Sequence, residues 1–132
     1  MTVIVPFKNE QDRITPLLNS IDKLKIPNNV TAAFLFVDDH SEDETTELIK
    51  STLHHKHHII VNEGSGKKSA IRTAVNQSTS EYILTWDADI IVREDYFESL
   101  SKVPDADMVI FPVKMFGRNF FFFFSAIDFL WI

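Results

Sequence analysis

Cysteine is absent from this 132-residue chain, so disulfides and thiolate metal sites are excluded and a reducing, cytoplasm-facing compartment is compatible. Glycine and proline are scarce, at three and five residues, which argues against low complexity and disorder. Positive charge is also in short supply: 13 Lys and Arg face 19 Asp and Glu, a formal net charge of -6. Non-specific phosphate binding needs a basic surface, so no nucleic acid is expected as a partner. A nucleoside diphosphate stays compatible where a metal and local cations handle its phosphates. The opening stretch Met1 to Pro6 has no basic n-region and runs into charge by Lys8, which does not suit a signal peptide. No Gly-x-Gly-x-x-Gly fingerprint occurs. Gly66-Lys67-Lys68-Ser69 looks superficially like a phosphate loop, yet Val61 stands where that loop needs its first glycine.

What is present is the balance of one globular domain, with 45% hydrophobic and 24% charged residues. Apolar runs at Val3 to Phe7, Ala32 to Val37, Ile59 to Val61, Tyr82 to Trp86 and Met108 to Phe111 read as strands. Between them lie helical patterns. Thr15-Pro16 predicts a helix start, with Thr as N-cap and Pro at the first position. Ser41 with Glu44 makes a capping-box pattern. A further helix follows Gly64-Ser65-Gly66, and a weak one runs from Asp95 to Leu100. Strands alternating with helices, several of them apolar on both faces, predict an α/β fold: three layers, α/β/α, around a mostly parallel sheet.

Ligands of such sheets bind beyond the C-terminal ends of the strands. Polar clusters collect there: Lys8-Asn9-Glu10, Asp38-Asp39-His40-Ser41, Asn62 to Lys68, and Asp87-Ala88-Asp89. Four successive strand ends with polar clusters predict one shared rim. Asp87 and Asp89, one residue apart after a buried strand, are costly there without a compensating cation. On an extended backbone they share a face, and a hard divalent cation held by carboxylate and phosphate oxygens would neutralise both. The competing reading is an ordinary Asp-bearing turn. Asp38 and Asp39 have a structural alternative in helix capping, and Lys67 is either an anion-attracting residue at a helix N-terminus or a solvated lysine. His54, His55, His57 and His58 form a conspicuous cluster, but nothing points to the convergent pocket that metal ligation requires. The segment Phe120 to Phe124, followed by Ser125 to Ile132, reads as a core helix whose covering partner lies further along a longer chain. Asp128 interrupts it as a membrane span.

Val3-Ile4-Val5-Pro6-Phe7-Lys8-Asn9-Glu10, Phe36-Val37-Asp38-Asp39-His40-Ser41-Glu42-Asp43, Gly66-Lys67-Lys68-Ser69-Ala70-Ile71 and Glu81-Tyr82-Ile83-Leu84-Thr85-Trp86-Asp87-Ala88-Asp89 occur in that order. Together they resemble the nucleotide-binding half of an inverting family 2 glycosyltransferase with the Rossmann-like GT-A fold, over residues 2–112. The resemblance implies transfer of a sugar from a nucleoside-diphosphate donor, a UDP-sugar favoured over a GDP-sugar, to an acceptor hydroxyl in polysaccharide or glycolipid synthesis. It implies a nucleotide-sugar site of Pro6, Phe7, Glu10, Asp39, Lys67 and Asp87, with Asp38 structural. It also implies Mn2+ or Mg2+ on Asp87 and Asp89. No catalytic base is implied within the chain; it is expected beyond Ile132. The resemblance divides the chain into a donor-binding domain, 1–114, and a Phe-rich helix, 115–132, that begins an acceptor-side region. It implies a location in the cytoplasm or at the cytoplasmic face of a membrane, with membrane association or self-association through 119–132. Two alternatives compete: a non-catalytic nucleotide-binding or scaffold domain, and a phosphoacceptor receiver domain. The receiver pattern wants its acidic pair after the first strand, whereas here it follows the second.

Overall fold

The computed structural model describes residues 1–100, 102–103, 106–112 and 127–129. Along the chain it contains β1 (Thr2–Phe7), α1 (Thr15–Ile21), β2 (Ala33–Asp38), α2 (Thr45–Thr52), β3 (His57–Val61), α3 (Lys67–Gln77), β4 (Ile83–Thr85), α4 (Tyr96–Leu100), β5 (Ile110–Pro112) and β6 (Ile127–Phe129). The first four strands form one parallel sheet in the order β3-β2-β1-β4. The expected α/β architecture is therefore present.

β1 lies in the interior of the sheet, and all six of its residues are buried. Alternation along it separates two cores. Val3, Val5 and Phe7 join Phe34 and Phe36 of β2 beneath Leu17, Leu18 and Ile21 of α1, Ile49 of α2 and Phe97 of α4. On the other face Ile4, Val37 and Ile83 meet Ala70 and Ala74 of α3. Two alanines of α3 pack on one face of the sheet, while the opposite layer is filled by larger aliphatic and aromatic side chains. Ile49 is fully buried, and its truncation to Ala is expected to cost about 2–5 kcal/mol.

A proline inside an interior strand is unusual, because it removes a ladder donor. Here the pairing explains it. The residues of β1 that face β4 are the even ones: Thr2 N–H donates to the Tyr82 carbonyl, and Trp86 N–H donates to the Ile4 carbonyl. β1 pairs with β4 only through Thr2–Ile4 but with β2 as far as Phe7. Pro6 thus sits beyond the last β1–β4 pair, where no donor is needed. The two strands part at this point, and the gap between their C-terminal ends becomes a cleft.

Several boundaries differ from those the sequence suggests. Thr15 is not the N-cap of α1; Ile14 takes that position, and no side chain caps it. The capping box does not form either: Glu44 is the N-cap of α2, without a side-chain cap bond. Residues 41–43 are instead drawn to the loop after β1. Asn9 N–H donates to Ser41 Oγ at 3.1 Å, Glu42 N–H to Asn9 Oδ1 at 2.8 Å, and Gln11 N–H to Asp43 Oδ2 at 3.2 Å. Asp43 Oδ1 also accepts from the Thr45 N–H and hydroxyl at 3.1 and 2.6 Å. These contacts between loops outweigh the local capping pattern. The strand after Met108 is not part of the parallel sheet; β5 pairs antiparallel with β6. Residues 127–129 are accordingly a strand, not part of a helix, because their backbone bonds go to β5. The remainder of the expected 115–132 helix, with its Phe-rich run, lies outside the described residues.

Candidate functional site

The cleft at the C-terminal end of the sheet encloses about 310 Å³ and is lined by Pro6, Phe7, Lys8, Glu10, Asp39, Lys67, Asp87, Ala88 and Asp89. Every site residue expected from the sequence borders it. They come from all four anticipated strand ends: three from the end of β1 and the loop after it, and one or two each from the segments after β2, β3 and β4. Lys8 and Ala88 are additions. Lys8 belongs to the polar cluster after β1, so a signal for it existed; Ala88 carries none, being brought in as the residue between two aspartates.

The loops that carry these groups are tied together by their own backbone geometry. Asn9 and His40, at the tips of β1 and β2, adopt left-handed conformations with φ of 53° and 60°, which Asn and His tolerate better than most side chains. His40 Nε2 donates to the Gly64 carbonyl at 2.9 Å, linking the loop after β2 to that after β3. Gly66 is required as glycine because its φ is +84°; a Cβ on Gly64 would press on Ser69 Oγ and displace that hydroxyl.

The two adjacent aspartates divide their labour. Asp38 is absorbed in its own turn, where Oδ1 accepts from Ser41 N–H at 2.8 Å and Oδ2 from the Thr46 hydroxyl at 3.3 Å. Asp39 is 7% exposed. Its Oδ1 and Oδ2 lie 3.0 and 2.9 Å from the Gly66 N–H, and Asn62 Nδ2 donates to Oδ1 at 2.6 Å. Asp39 also borders the cleft, and a carboxylate has more acceptor sites than these three bonds use.

Lys67, the first residue of α3, forms an ion pair with Asp87 Oδ1 across the cleft. Asp87 follows β4 without a turn, but Ala88 and Asp89 lie in one. Simple strand alternation therefore does not explain how the two aspartates reach the same cleft; the turn after Asp87 does. Glu10 faces the same space, with Arg13 Nε 2.9 Å from its Oε2. Burial pushes the Glu10 carboxyl above its ordinary value; Arg13 opposes this, and the negative charge of Asp89 adds to it. An acid raised partly by its neighbour's charge marks a cleft with surplus negative potential.

That surplus bears on whether a divalent cation fits. The donor set of Asp87 and Asp89 is hard oxygen, as Mg2+ and Mn2+ prefer. Among the described residues, no group of three or more His, Cys, Asp or Glu could hold a metal ion by itself. The residues thus fit a cation shared with a ligand that supplies further oxygens, and do not form a cage. The histidine cluster is no metal centre among the described residues. His54 Nδ1 lies 2.8 Å from Asp22 Oδ2, and the rings of His55 and His57 pack against Phe34 and Phe36.

The sequence model described as Glycosyl transferase family 2 matches residues 2–130. The chain belongs to this family. Among curated relatives of this family 2 chain, it is 30% identical over 97 residues to the poly-beta-1,6-N-acetyl-D-glucosamine synthase of Staphylococcus aureus, covering 72% of this chain and 23% of that protein. It is 32% identical over 109 residues to a dolichyl-phosphate beta-glucosyltransferase of Trichomonas vaginalis, covering 76% of this chain and 32% of that one. The chain thus spans between about a quarter and a third of their length. Solved structures agree. S. aureus TarS in complex with UDP superposes with a TM-score of 0.64 at 27% identity, over 76% of this chain and 30% of that one. A mannosyltransferase of Pyrobaculum calidifontis, in complex with GDP-Man and Mn2+, gives 0.61 at 30% identity, over 71% and 29%. The fold is that of GT-A glycosyltransferases. Among the described residues, no helix is long and apolar enough to cross a membrane.

Proposed function

We propose that this chain is the donor-binding part of an inverting, metal-dependent glycosyltransferase that uses a nucleoside-diphosphate sugar, a UDP-sugar before a GDP-sugar. The observation that carries the proposal is the convergence of Asp39, Lys67, Asp87 and Asp89 on one cleft. Pro6 and Phe7 supply its buried apolar wall, suited to the face of a base. Asp39, an acceptor at the cleft wall, would take hydrogen bonds from the base or the ribose hydroxyls. Lys67 at the N-terminus of α3 would face the diphosphate, aided by the helix dipole. Asp87 would orient ribose or sugar, and Asp89 with Asp87 would hold Mn2+ or Mg2+ against phosphate oxygens. Such a cation supplies charge stabilisation to a departing nucleoside diphosphate. Glu10 adds to the negative field that draws it in.

The base that accepts the proton of an acceptor hydroxyl is assigned to none of these residues. In this proposal the chain therefore supplies donor recognition, as residues 1–114, and the acceptor belongs to polysaccharide or glycolipid synthesis at the cytoplasmic face of a membrane. That choice is supported by relatives named for a polysaccharide and for a dolichyl-phosphate acceptor. Calorimetry of the 132-residue chain with UDP and with GDP, each with Mn2+ and with chelator, tests the reading. Saturable, Mn2+-dependent heat with UDP is expected, and weaker heat with GDP. A folded sample that binds neither nucleotide would overturn it.

A further inference from the structure

Asn62 follows β3 and is 2% exposed. It does not line the cleft, yet both ends of its amide are engaged. Nδ2 donates to Asp39 Oδ1 at 2.6 Å and lies 3.4 Å from the Gly66 carbonyl oxygen. Oδ1 accepts from Gly64 N–H at 3.1 Å, from the Ser69 hydroxyl at 3.0 Å and from the Thr73 hydroxyl at 3.2 Å. The orientation of the amide is forced by its backbone partners: the Gly64 N–H can only donate to Oδ1 and the Gly66 carbonyl can only accept, so the nitrogen is the end that faces Asp39. Gly66 N–H then closes a ring by donating to the same carboxylate. The ring ends one residue before Lys67. One amide therefore fixes the carboxylate after β2 and the helix start after β3 relative to each other.

We infer that Asn62 is the positioning residue of the cleft, holding Asp39 in one orientation and Lys67 opposite Asp87; this rests on the donor-site reading above. The role needs a donor and an acceptor at the two ends of a short side chain. Asp at this position has the same shape but places a second carboxylate against Asp39. When ionised it repels Asp39; when one proton is shared between the pair, the lost donor is replaced. Leu has neither end and leaves Gly64 N–H and two hydroxyls without their acceptor.

The test uses Asn62→Asp in the 132-residue chain with two readouts: hydrogen-exchange protection of the Gly66 amide in the free protein, and UDP affinity with Mn2+. Near pH 8 the Gly66 amide is expected to lose protection and UDP affinity to fall about tenfold relative to the parent chain; near pH 5 both are expected to return to within about threefold. Asn62→Leu, which cannot titrate, is expected to be impaired at both values. A pH-independent ratio of Asn62→Asp to parent, or unchanged Gly66 protection at high pH, overturns the inference. If the parent binds no nucleotide, the donor-site reading falls, and Gly66 protection alone then decides whether Asn62 sets the Asp39–Gly66 geometry. Should Asn62→Asp not fold, Ser69→Ala removes one donor to Oδ1; it is expected to speed Gly66 exchange at least about threefold, and an unchanged rate overturns the inference.

Discussion

Two hollows of about 310 Å³ each invite comparison among the described residues, and both carry carboxylates beside groups that can be cationic. The first is the cleft at the strand ends. The second is lined by Asp22, His54 and His55, and holds the more conspicuous residues. Their difference lies in what remains unused. At the second hollow Asp22 Oδ1 accepts from the backbone N–H groups of His54 and His55 at 3.0 and 3.1 Å, and Oδ2 meets His54 Nδ1 at 2.8 Å. That carboxylate is spent on fastening the end of α1 to the chain leaving α2. At the first hollow four carboxylates, Glu10, Asp39, Asp87 and Asp89, face two lysines, Lys8 and Lys67, and Asp39 keeps acceptor capacity at the wall. A site is marked by groups with bonding capacity left over, not by the density of polar residues.

The comparison breaks most sharply on ligand binding. Asp89→Asn is expected to weaken Mn2+-dependent UDP binding by at least about tenfold, while Asp22→Asn leaves it unchanged; calorimetry on both variants measures this. Equal effects would erase the distinction between the hollows. Stability should show the reverse. Asp22→Ala is expected to cost about 1–2 kcal/mol in urea denaturation, since it removes the acceptor for two backbone donors at once, with UDP affinity intact.

The two regions should also respond to pH with opposite sign. Burial alone would raise the Asp22 carboxyl, but its hydrogen bonds from His54 and His55 outweigh this and hold it below its ordinary value. Its contribution to stability is present above the ordinary Asp value and is lost as pH falls through the lowered one. Glu10 is raised, first by burial. Its contribution is present below the ordinary Glu value and is lost as pH rises through the raised one. Melting temperatures are therefore expected to fall at pH 7 for Asp22→Asn and to rise for Glu10→Gln; the Glu10 difference vanishes below the ordinary Glu value, and the Asp22 difference fades only as pH falls through its lowered value. A matching sign in the two variants would show that the cleft is no more strained than the clamp. The smallest effect is expected for His54→Ala. Its side chain is 88% exposed, so the loss should stay below about 0.5 kcal/mol in the same urea experiment.

Much of this was legible in the residues. The apolar runs marked β1 to β4, and the polar clusters after them marked the rim, because a parallel sheet delivers successive strand ends to one side. The residues alone left open which of Asp38 and Asp39 is structural; the family resemblance pointed to Asp38, and its bonds to Ser41 and Thr46 agree. Other features were not legible. Ser41 has a good capping pattern, yet it is taken by Asn9 from another loop. The Asp87–Asp89 pair reads as strand alternation, yet a turn brings the second carboxylate round. Asn62 sat within a recognised polar stretch, but its sequence neighbours do not disclose a bond to a residue 23 positions away.

By itself the sequence determined which side chains stand at each strand end and in what order the strands occur, because periodicity and turn chemistry are local. Only the tertiary structure decided which carboxylates are consumed. Asp22 meets His54 across 32 positions, and Asp39 is held by a residue on another strand's exit. Hydrogen bonds saturate, and which partner arrives first in space is settled by packing between distant segments. Hence His54 and His55 are fastened to Asp22, while Asp39, Asp87 and Asp89 border the cleft.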